Sequence, residues 1–166
     1  MPVARSGAIV PPVAGWAADR AKLYWEEWMQ TTMQDLTVIL ENRPGALAKA
    51  TTAIATEGVN LEGGAGYECG GEGIFHALFK SEREASAAKR ALEGAGFKVR
   101  ARKPVVVANV EDKPGEVARI YRLIGEAKVN LDFTYLATNT RVVIGADNIQ
   151  KIADLLAMPT GASVRR

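Results

Sequence analysis

The chain is poor in the residues that build covalent cross-links and metal centres. It contains one cysteine, Cys69, and one histidine, His76. A single cysteine excludes an intramolecular disulfide framework and any paired-cysteine site. A single histidine excludes metal centres that need several imidazole ligands. We therefore predict no metal, no cofactor and no catalytic activity, and we favour a binding protein.

Strong charge of one sign and long apolar runs are also missing. The formal net charge is only +2, and no segment is basic enough to indicate nucleic acid or an acidic membrane surface. No apolar run is long enough to cross a bilayer. The apolar stretch after Arg5 is interrupted by Pro11 and Pro12, which argues against a signal peptide. We expect a cytoplasmic protein that binds neither nucleic acid nor membrane, and a lone reduced thiol suits that compartment.

What the chain does have is an apolar content sufficient for a core and an internal repeat. Of its 166 residues, 48% are apolar and 24% charged, the balance of a folded globular protein. Shifted by 70 positions, residues 40–61 (LENRPGALAKATTAIATEGVNL) align without a gap on residues 110–131 (VEDKPGEVARIYRLIGEAKVNL). Eight of these 22 positions are identical. The chain therefore contains one unit twice.

Each copy has the same predicted order of elements. In the first, an alternating strand ends near Leu40, and Pro44 opens a helix that closes at Gly58. Strands then follow at 59–61 and 74–79, a second helix begins after the cap Ser81, and a strand alternates over 97–102. The second copy repeats this order with strands at 105–110, 131–137 and 141–145, and its last strand is short or absent. The order β-α-β-β-α-β predicts an α+β, ferredoxin-like fold with an antiparallel sheet and both helices on one face.

Three segments follow from this pattern: residues 1–34, 35–104 and 105–166. The first segment is an extension with an amphipathic helix over residues 16–30, whose stripe of Ala17, Ala21, Tyr24, Trp25 and Trp28 is apolar. We interpret it either as a variable extension that packs on the domain or as a helix that docks on a partner. The other two segments are the repeated units.

The repeated motif resembles that of the ACT domain, a small-molecule sensor with the βαββαβ fold. The matching residues are Asn42-Arg43-Pro44-Gly45 with Val59-Asn60-Leu61, and Asp112-Lys113-Pro114-Gly115 with Val129-Asn130-Leu131. The resemblance covers residues 35 to about 157 and is closest to stand-alone tandem ACT proteins without a catalytic domain. It implies a regulatory protein that binds an amino acid near an interface between two ACT units, and a homo-oligomer.

The residues at the first turn suit a carboxylate ligand. Gly45, Ala46 and Leu47 begin a helix, so their N–H groups lack partners within it and the helix dipole adds positive potential. In serine-binding ACT units two asparagines contact the ligand, and the resemblance carries that role to Asn42 and Asn60. The ligand-binding set is therefore Asn42, Pro44, Gly45, Ala46, Leu47, Asn60, Leu61, Asp112, Gly115 and Asn130. The alternative is that Asn42 and Asp112 only hold a turn, and that Asn60 and Asn130 only satisfy the backbone at a loop exit.

Two further features leave alternatives open. Residues 62–73 (EGGAGYECGGEG) contain six glycines and read either as a flexible hairpin or as a ligand lid with Tyr67 and Cys69 facing the site. Cys69 and His76 are the only nucleophile and base available, on opposite arms of that hairpin. A catalytic dyad also needs an orienting third group and an oxyanion site, and we find neither.

Three functions compete at this stage. The first is a stand-alone amino-acid sensor. The second is a regulatory subunit that docks on a biosynthetic enzyme through residues 16–30, as the small subunit of acetolactate synthase does. The third, an RNA-binding or catalytic ferredoxin-like protein, is disfavoured because residues 71–79 (GEGIFHALF) lack the basic and aromatic pattern of RNA-binding strands.

Overall fold

A computed structural model describes residues 33–156 of the chain. The predicted helix over residues 16–30 lies outside this range. So do the residues after Leu156, where the sequence predicts a last strand that is short or absent. The described part has six strands and four helices in the order β1 (Met33–Glu41), α1 (Ala46–Thr56), β2 (Gly63–Cys69), β3 (Glu72–Phe79), α2 (Glu82–Gly94), β4 (Lys98–Asn109), α3 (Glu116–Glu126), β5 (Leu131–Ala137), β6 (Arg141–Ala146) and α4 (Ile149–Leu156).

The strands form one antiparallel sheet in the order β2-β3-β1-β4-β6-β5. The long strand β4 belongs to both ends of this sheet: Lys98–Val105 pairs with β1, and Val106–Asn109 pairs with β6. We call β2, β3, β1 and β4 up to Val105 the N-terminal half-sheet, and β4 from Val106, β6 and β5 the C-terminal half-sheet. The change of partner between Val105 and Val106 is the β4 crossover.

Each half-sheet carries its helices on its own outer face. Residues from α1 and α2 pack on β1, β3 and β4 around Leu36, Ile54, Phe79 and Leu92, none of which is more than 1% exposed. In the other half, α3 and α4 pack on β4 and β6 around Ile120, Ile124, Ile144 and Ile152. Burial of these side chains away from water stabilises both layers.

The inner faces of the two half-sheets pack on each other. A third apolar cluster joins Met33, Leu78 and Val105 to Val143, with Val107, Phe133, Tyr135 and Ala137 packed around it. Although β2 and β5 are the two outer strands of the sheet, they are in contact. The sheet therefore curls until its faces meet. We call this contact the inter-sheet interface.

The mixed α+β class and the antiparallel sheet are confirmed. One difference concerns residues 97–110, where the sequence predicts two strands and the structure has one, β4, that runs through the predicted boundary between residues 104 and 105. Pro104 suggests that the strand ends there, but β4 continues through it. Its fixed φ suits extended backbone, and it lies two residues before β4 exchanges one neighbour for the other.

Candidate functional site

The two Pro-Gly turns have the same backbone geometry. Gly45 and Gly115 immediately precede α1 and α3 with left-handed φ values of 84° and 95°. In each turn the same two hydrogen bonds recur 70 positions apart: Arg43 N–H to Glu41 O and Lys113 N–H to Glu111 O at 2.8 Å, then Lys49 N–H to Gly45 O and Arg119 N–H to Gly115 O. Equivalent sequences thus give equivalent turns.

Each turn leaves helix amides free. Within the described residues, the N–H groups of Gly45 and Leu47 have no hydrogen-bond partner, whereas Ala46 N–H donates to Arg43 O at 3.3 Å. The sequence predicts three free amides at this turn, and the structure leaves Ala46 out because its N–H closes the turn. A Cβ at Gly45 or Gly115 would meet nothing within 4 Å, so the space beside both turns is open.

The charges at the two turns are also alike. Arg43 pairs with Glu41 and Lys113 pairs with Glu111, and all four side chains are exposed. These hydrogen-bonded cations hold the pKa of each glutamate below its usual value. The side chains of Asn42 and Asp112 are exposed and make no hydrogen bond to the described part of the chain, so neither is committed to holding its turn.

The second asparagine of each copy lies at the far end of the helix. Asn60 follows α1 and Asn130 follows α3, and both are exposed. Because α1 has 11 residues, about 16 Å of helix separates Asn42 from Asn60 at 1.5 Å per residue. Leu61 is half-buried against the N-terminal core. One small ligand therefore cannot bind Asn42 and Asn60 of the same copy.

The loop that carries Asn60 is instead connected to the second turn. Glu62 O accepts hydrogen bonds from Thr138 Oγ1 at 3.0 Å and from the Arg141 guanidinium at 2.9 Å. Thr140 O in the same β5–β6 turn accepts from Val110 N–H at 2.9 Å. Residues 111–115 follow directly. Asn60 and the Asp112 turn consequently lie at the same end of the molecule.

The glycine-rich segment 62–73 forms an ordered hairpin. Residues of β2 pair along their whole length with β3, and the chain reverses at Gly70 and Gly71, both with positive φ. Cys69 is exposed at the end of this hairpin and lies opposite Glu72, whereas His76 pairs with Ala65 and is 4% exposed. The cysteine and histidine are therefore not brought together.

The structure assembles a buried polar group that the sequence does not reveal. His76 Nδ1 lies 2.9 Å from Asp35 Oδ1, and Tyr135 donates its hydroxyl to Asp35 Oδ2 at 2.7 Å. Burial, with the neighbouring Asp35 carboxylate, raises the pKa of Tyr135 far above its usual value. We call these three residues the Asp35 cluster. Asp35 and Tyr135 are 100 positions apart, so no local pattern signals their contact.

Between residues 33 and 156 the structure shows neither a metal-binding cluster nor a membrane-spanning helix. No group of three or more histidine, cysteine or acidic side chains in that range is arranged to hold a metal ion. No helix of the same range is both long and apolar enough to cross a membrane.

The comparisons with known proteins identify the fold. No family model matches the chain, and no curated protein is similar to it in sequence. Among solved structures, protein BT0572 from Bacteroides thetaiotaomicron is 26% identical with a TM-score of 0.64, over 76% of this chain and 89% of that one. The regulatory subunits of aspartate kinase from Thermus flavus and Thermus thermophilus are 16% and 15% identical, with TM-scores of 0.56 and 0.53. Each comparison covers 75% of this chain, and 90% and 89% of the respective subunits. The chain therefore shares its fold with BT0572 and with these two subunits.

Proposed function

We propose that this protein is a non-catalytic regulatory protein that binds an amino acid at its Asn/Asp-x-Pro-Gly turns. The observation that carries the proposal is the pair of equivalent turns, each with free helix amides and open space beside a glycine. A helix N-terminus of this kind favours a carboxylate. The regulatory subunits with the same fold support a regulatory role.

The two turns differ in one residue that decides which end of an amino acid each prefers. Asn42 is neutral, so the free N–H groups of Gly45 and Leu47 can donate to a ligand carboxylate without repulsion from that side chain. Asp112 carries a negative charge at the equivalent place, which repels a carboxylate by about 1 kcal/mol at 4 Å in water. Asp112 can instead bind an ammonium group, and the Asn60 loop lies at the same end of the molecule. We therefore place the ligand carboxylate at the first turn.

The test is calorimetry after a thermal-shift screen of the twenty amino acids has named a ligand. A ligand at 100 times its Kd stabilises the folded state by about 2.7 kcal/mol, a shift of several degrees. Asn42→Asp should then weaken binding at least as much as Asp112→Asn does. If Asn42→Asp leaves the Kd unchanged while Asp112→Asn abolishes binding, the ligand belongs to the second turn and its ammonium group is the recognised end.

The alternative is a regulatory subunit that docks on a biosynthetic enzyme or self-associates. Its support is that the similar solved structures include regulatory subunits of aspartate kinase. The amphipathic stripe over residues 16–30 is the proposed docking surface. Trp25→Ser, in the middle of that stripe, should abolish co-purification of the enzyme partner from the native host. If the same enzyme still co-purifies with the variant, another surface does the docking.

A further inference from the structure

The inter-sheet interface contains a carboxylate whose hydrogen bonds come from both half-sheets. Asp35 on β1 is 1% exposed. One of its oxygens is bonded to His76 on the neighbouring strand β3, and the other accepts from Tyr135 on β5, across the interface. Removing a carboxylate from water is costly unless such bonds replace the lost water. The burial of Asp35 therefore depends on β5 staying in place.

Aromatic rings complete the surroundings of His76. Phe133 lies 4.3 Å from the imidazole centroid and Tyr135 5.9 Å, both from the C-terminal half-sheet. Tyr67 stacks on the imidazole from β2 at 6.1 Å and is itself 52% exposed. The polar centre of the interface is thus close to its solvent-exposed edge, so water can reach it after a small separation of the two half-sheets.

The connection between the half-sheets has the form of a hinge. The only strand that pairs with both halves in residues 33–156 is β4, which changes partner between Val105 and Val106. The strands β2 and β5 are in contact, but their backbones do not pair with each other, since β2 pairs with β3 and β5 pairs with β6. Two cores on the outer faces remain intact if the inner faces part.

We propose that the two half-sheets separate reversibly about the β4 crossover, and that the Asp35 cluster sets the equilibrium between closed and open forms. Closing exchanges the water around Asp35 and Tyr135 for one strong hydrogen bond. Opening returns that water, so it costs less than opening an interface that is apolar throughout. The closed form is the one in which β5 covers Asp35. This device is independent of whether an amino acid binds at the Pro-Gly turns.

The test measures the labelling rate of a thiol placed at one of two neighbouring positions. Val142 and Val143 are adjacent on β6 and both fully buried, but Val142 faces the α3–α4 core and Val143 faces the inter-sheet interface. In a Cys69→Ser background, Val143→Cys reports opening of the interface and Val142→Cys reports unfolding of the core. Tyr135→Phe should accelerate labelling at position 143 at least about tenfold, because it removes a hydrogen bond to a buried carboxylate.

The matched control removes a different tyrosine hydroxyl. Tyr121 donates to or accepts from Thr134 Oγ1 at 2.8 Å within the C-terminal half, so Tyr121→Phe should leave the rate at position 143 unchanged. Asp35→Ala, which removes the acceptor of the Tyr135 hydroxyl, supplies the same readout if Tyr135→Phe does not fold. The proposal is overturned if neither variant accelerates labelling at position 143, or if positions 142 and 143 accelerate equally.

Discussion

Gly63 occupies a position at the inter-sheet interface where no side chain fits. A Cβ there would lie 2.5 Å from the Cβ of Ala137 on β5. Three residues along the same strand, a Cβ at Gly66 would meet nothing closer than 4.0 Å. The glycines of β2 therefore have different roles, although the sequence presents them as one glycine-rich run. Gly63 permits the close approach of β5, whereas the position of Gly66 has room for a side chain.

We expect Gly63→Ala to lower the free energy of unfolding by about 1–3 kcal/mol, because overpacking of a tight contact forces the strands apart. Gly66→Ala should change it by less than about 0.5 kcal/mol, as surface substitutions usually do. Urea unfolding followed by circular dichroism measures both. Ala137→Gly should restore stability in the Gly63→Ala background. A loss that persists in the double variant would show that the contact with Ala137 is not the cause.

Each half-sheet pairs a glycine with a large residue, but on opposite strands of its hairpin. Gly63 pairs with Leu78 in one half, and Phe133 pairs with Gly145 in the other. A Cβ at Gly145 would lie 2.4 Å from the Phe133 ring, so the ring lies directly over the glycine. The large residue is on β3 in the first half and on β5 in the second. Because of this exchange, Phe133 can lie against His76 while Gly63 leaves room for Ala137.

At the scale of elements, the Pro-Gly turns depend on glycine for their backbone conformation. Gly115 has a φ of 95° and open space around its missing Cβ, so only the backbone opposes a side chain there. Gly125, inside α3, also has open space, but no positive φ. Gly115 lies just before α3 and Gly125 lies within its last turn, so the two positions both have open space and differ in φ.

Gly115→Ala should destabilise the protein by about 1–2 kcal/mol, the cost of a left-handed conformation for an L-residue. Gly125→Ala should stabilise it by up to about 1 kcal/mol, because alanine has the higher helix propensity. Thermal unfolding monitored at 222 nm gives both signs. A Gly115→Ala variant as stable as the wild type would contradict the assignment of strain to this turn.

Most elements were predictable because their signals are local, but the strand predicted over residues 59–61 is a loop, and β2 begins only at Gly63. Leu36, Val38 and Leu40 alternate in β1 and face the helices, and Ser81 accepts from Glu84 N–H as the predicted cap of α2. The continuous β4 was not predicted, because whether a strand continues past a proline depends on the neighbouring strands that pair with it. The curl of the sheet was missed for the same reason, since its contacts join residues far apart in the sequence.

The candidate site was predicted only in its local part. The repeated Pro-Gly sequences give two equivalent turns, because a glycine before a helix determines the backbone there. The helix predicted from Pro44 to Gly58 already separates Asn60 from Asn42. Sequence reasoning could not say that Asn60 is joined through Glu62 and Thr138 to the end of the molecule that carries Asp112. The ligand-binding roles of these residues remain a proposal for calorimetry.

At the scale of the whole molecule, the Asp35 cluster makes the stability of the protein decline at alkaline pH. Burial, and then the carboxylate of Asp35, raise the pKa of Tyr135 above its ordinary value of 10.0. The folded protein therefore retains a proton that the unfolded chain releases above about pH 10. By linkage, the contribution of Tyr135 to the free energy of unfolding is fully present below the pKa of the unfolded state and declines as the pH rises beyond it.

Tyr135→Phe should therefore lower the free energy of unfolding at neutral pH and make it less dependent on pH in alkaline solution. At pH 7 the variant should be less stable by about 1–3 kcal/mol, because Asp35 loses a donor while buried. Above about pH 10 its stability should decline less steeply than that of the wild type, since one fewer group must release a proton on unfolding. Urea unfolding between pH 7 and 11 measures both. Lysine titration affects all variants alike, and Tyr121→Phe, which leaves the Asp35 cluster intact, should parallel the wild type. Parallel curves for Tyr135→Phe and the wild type would mean that the buried hydroxyl ionises as easily as one in the unfolded chain. The interface around Asp35 would then have to admit water even in the closed form.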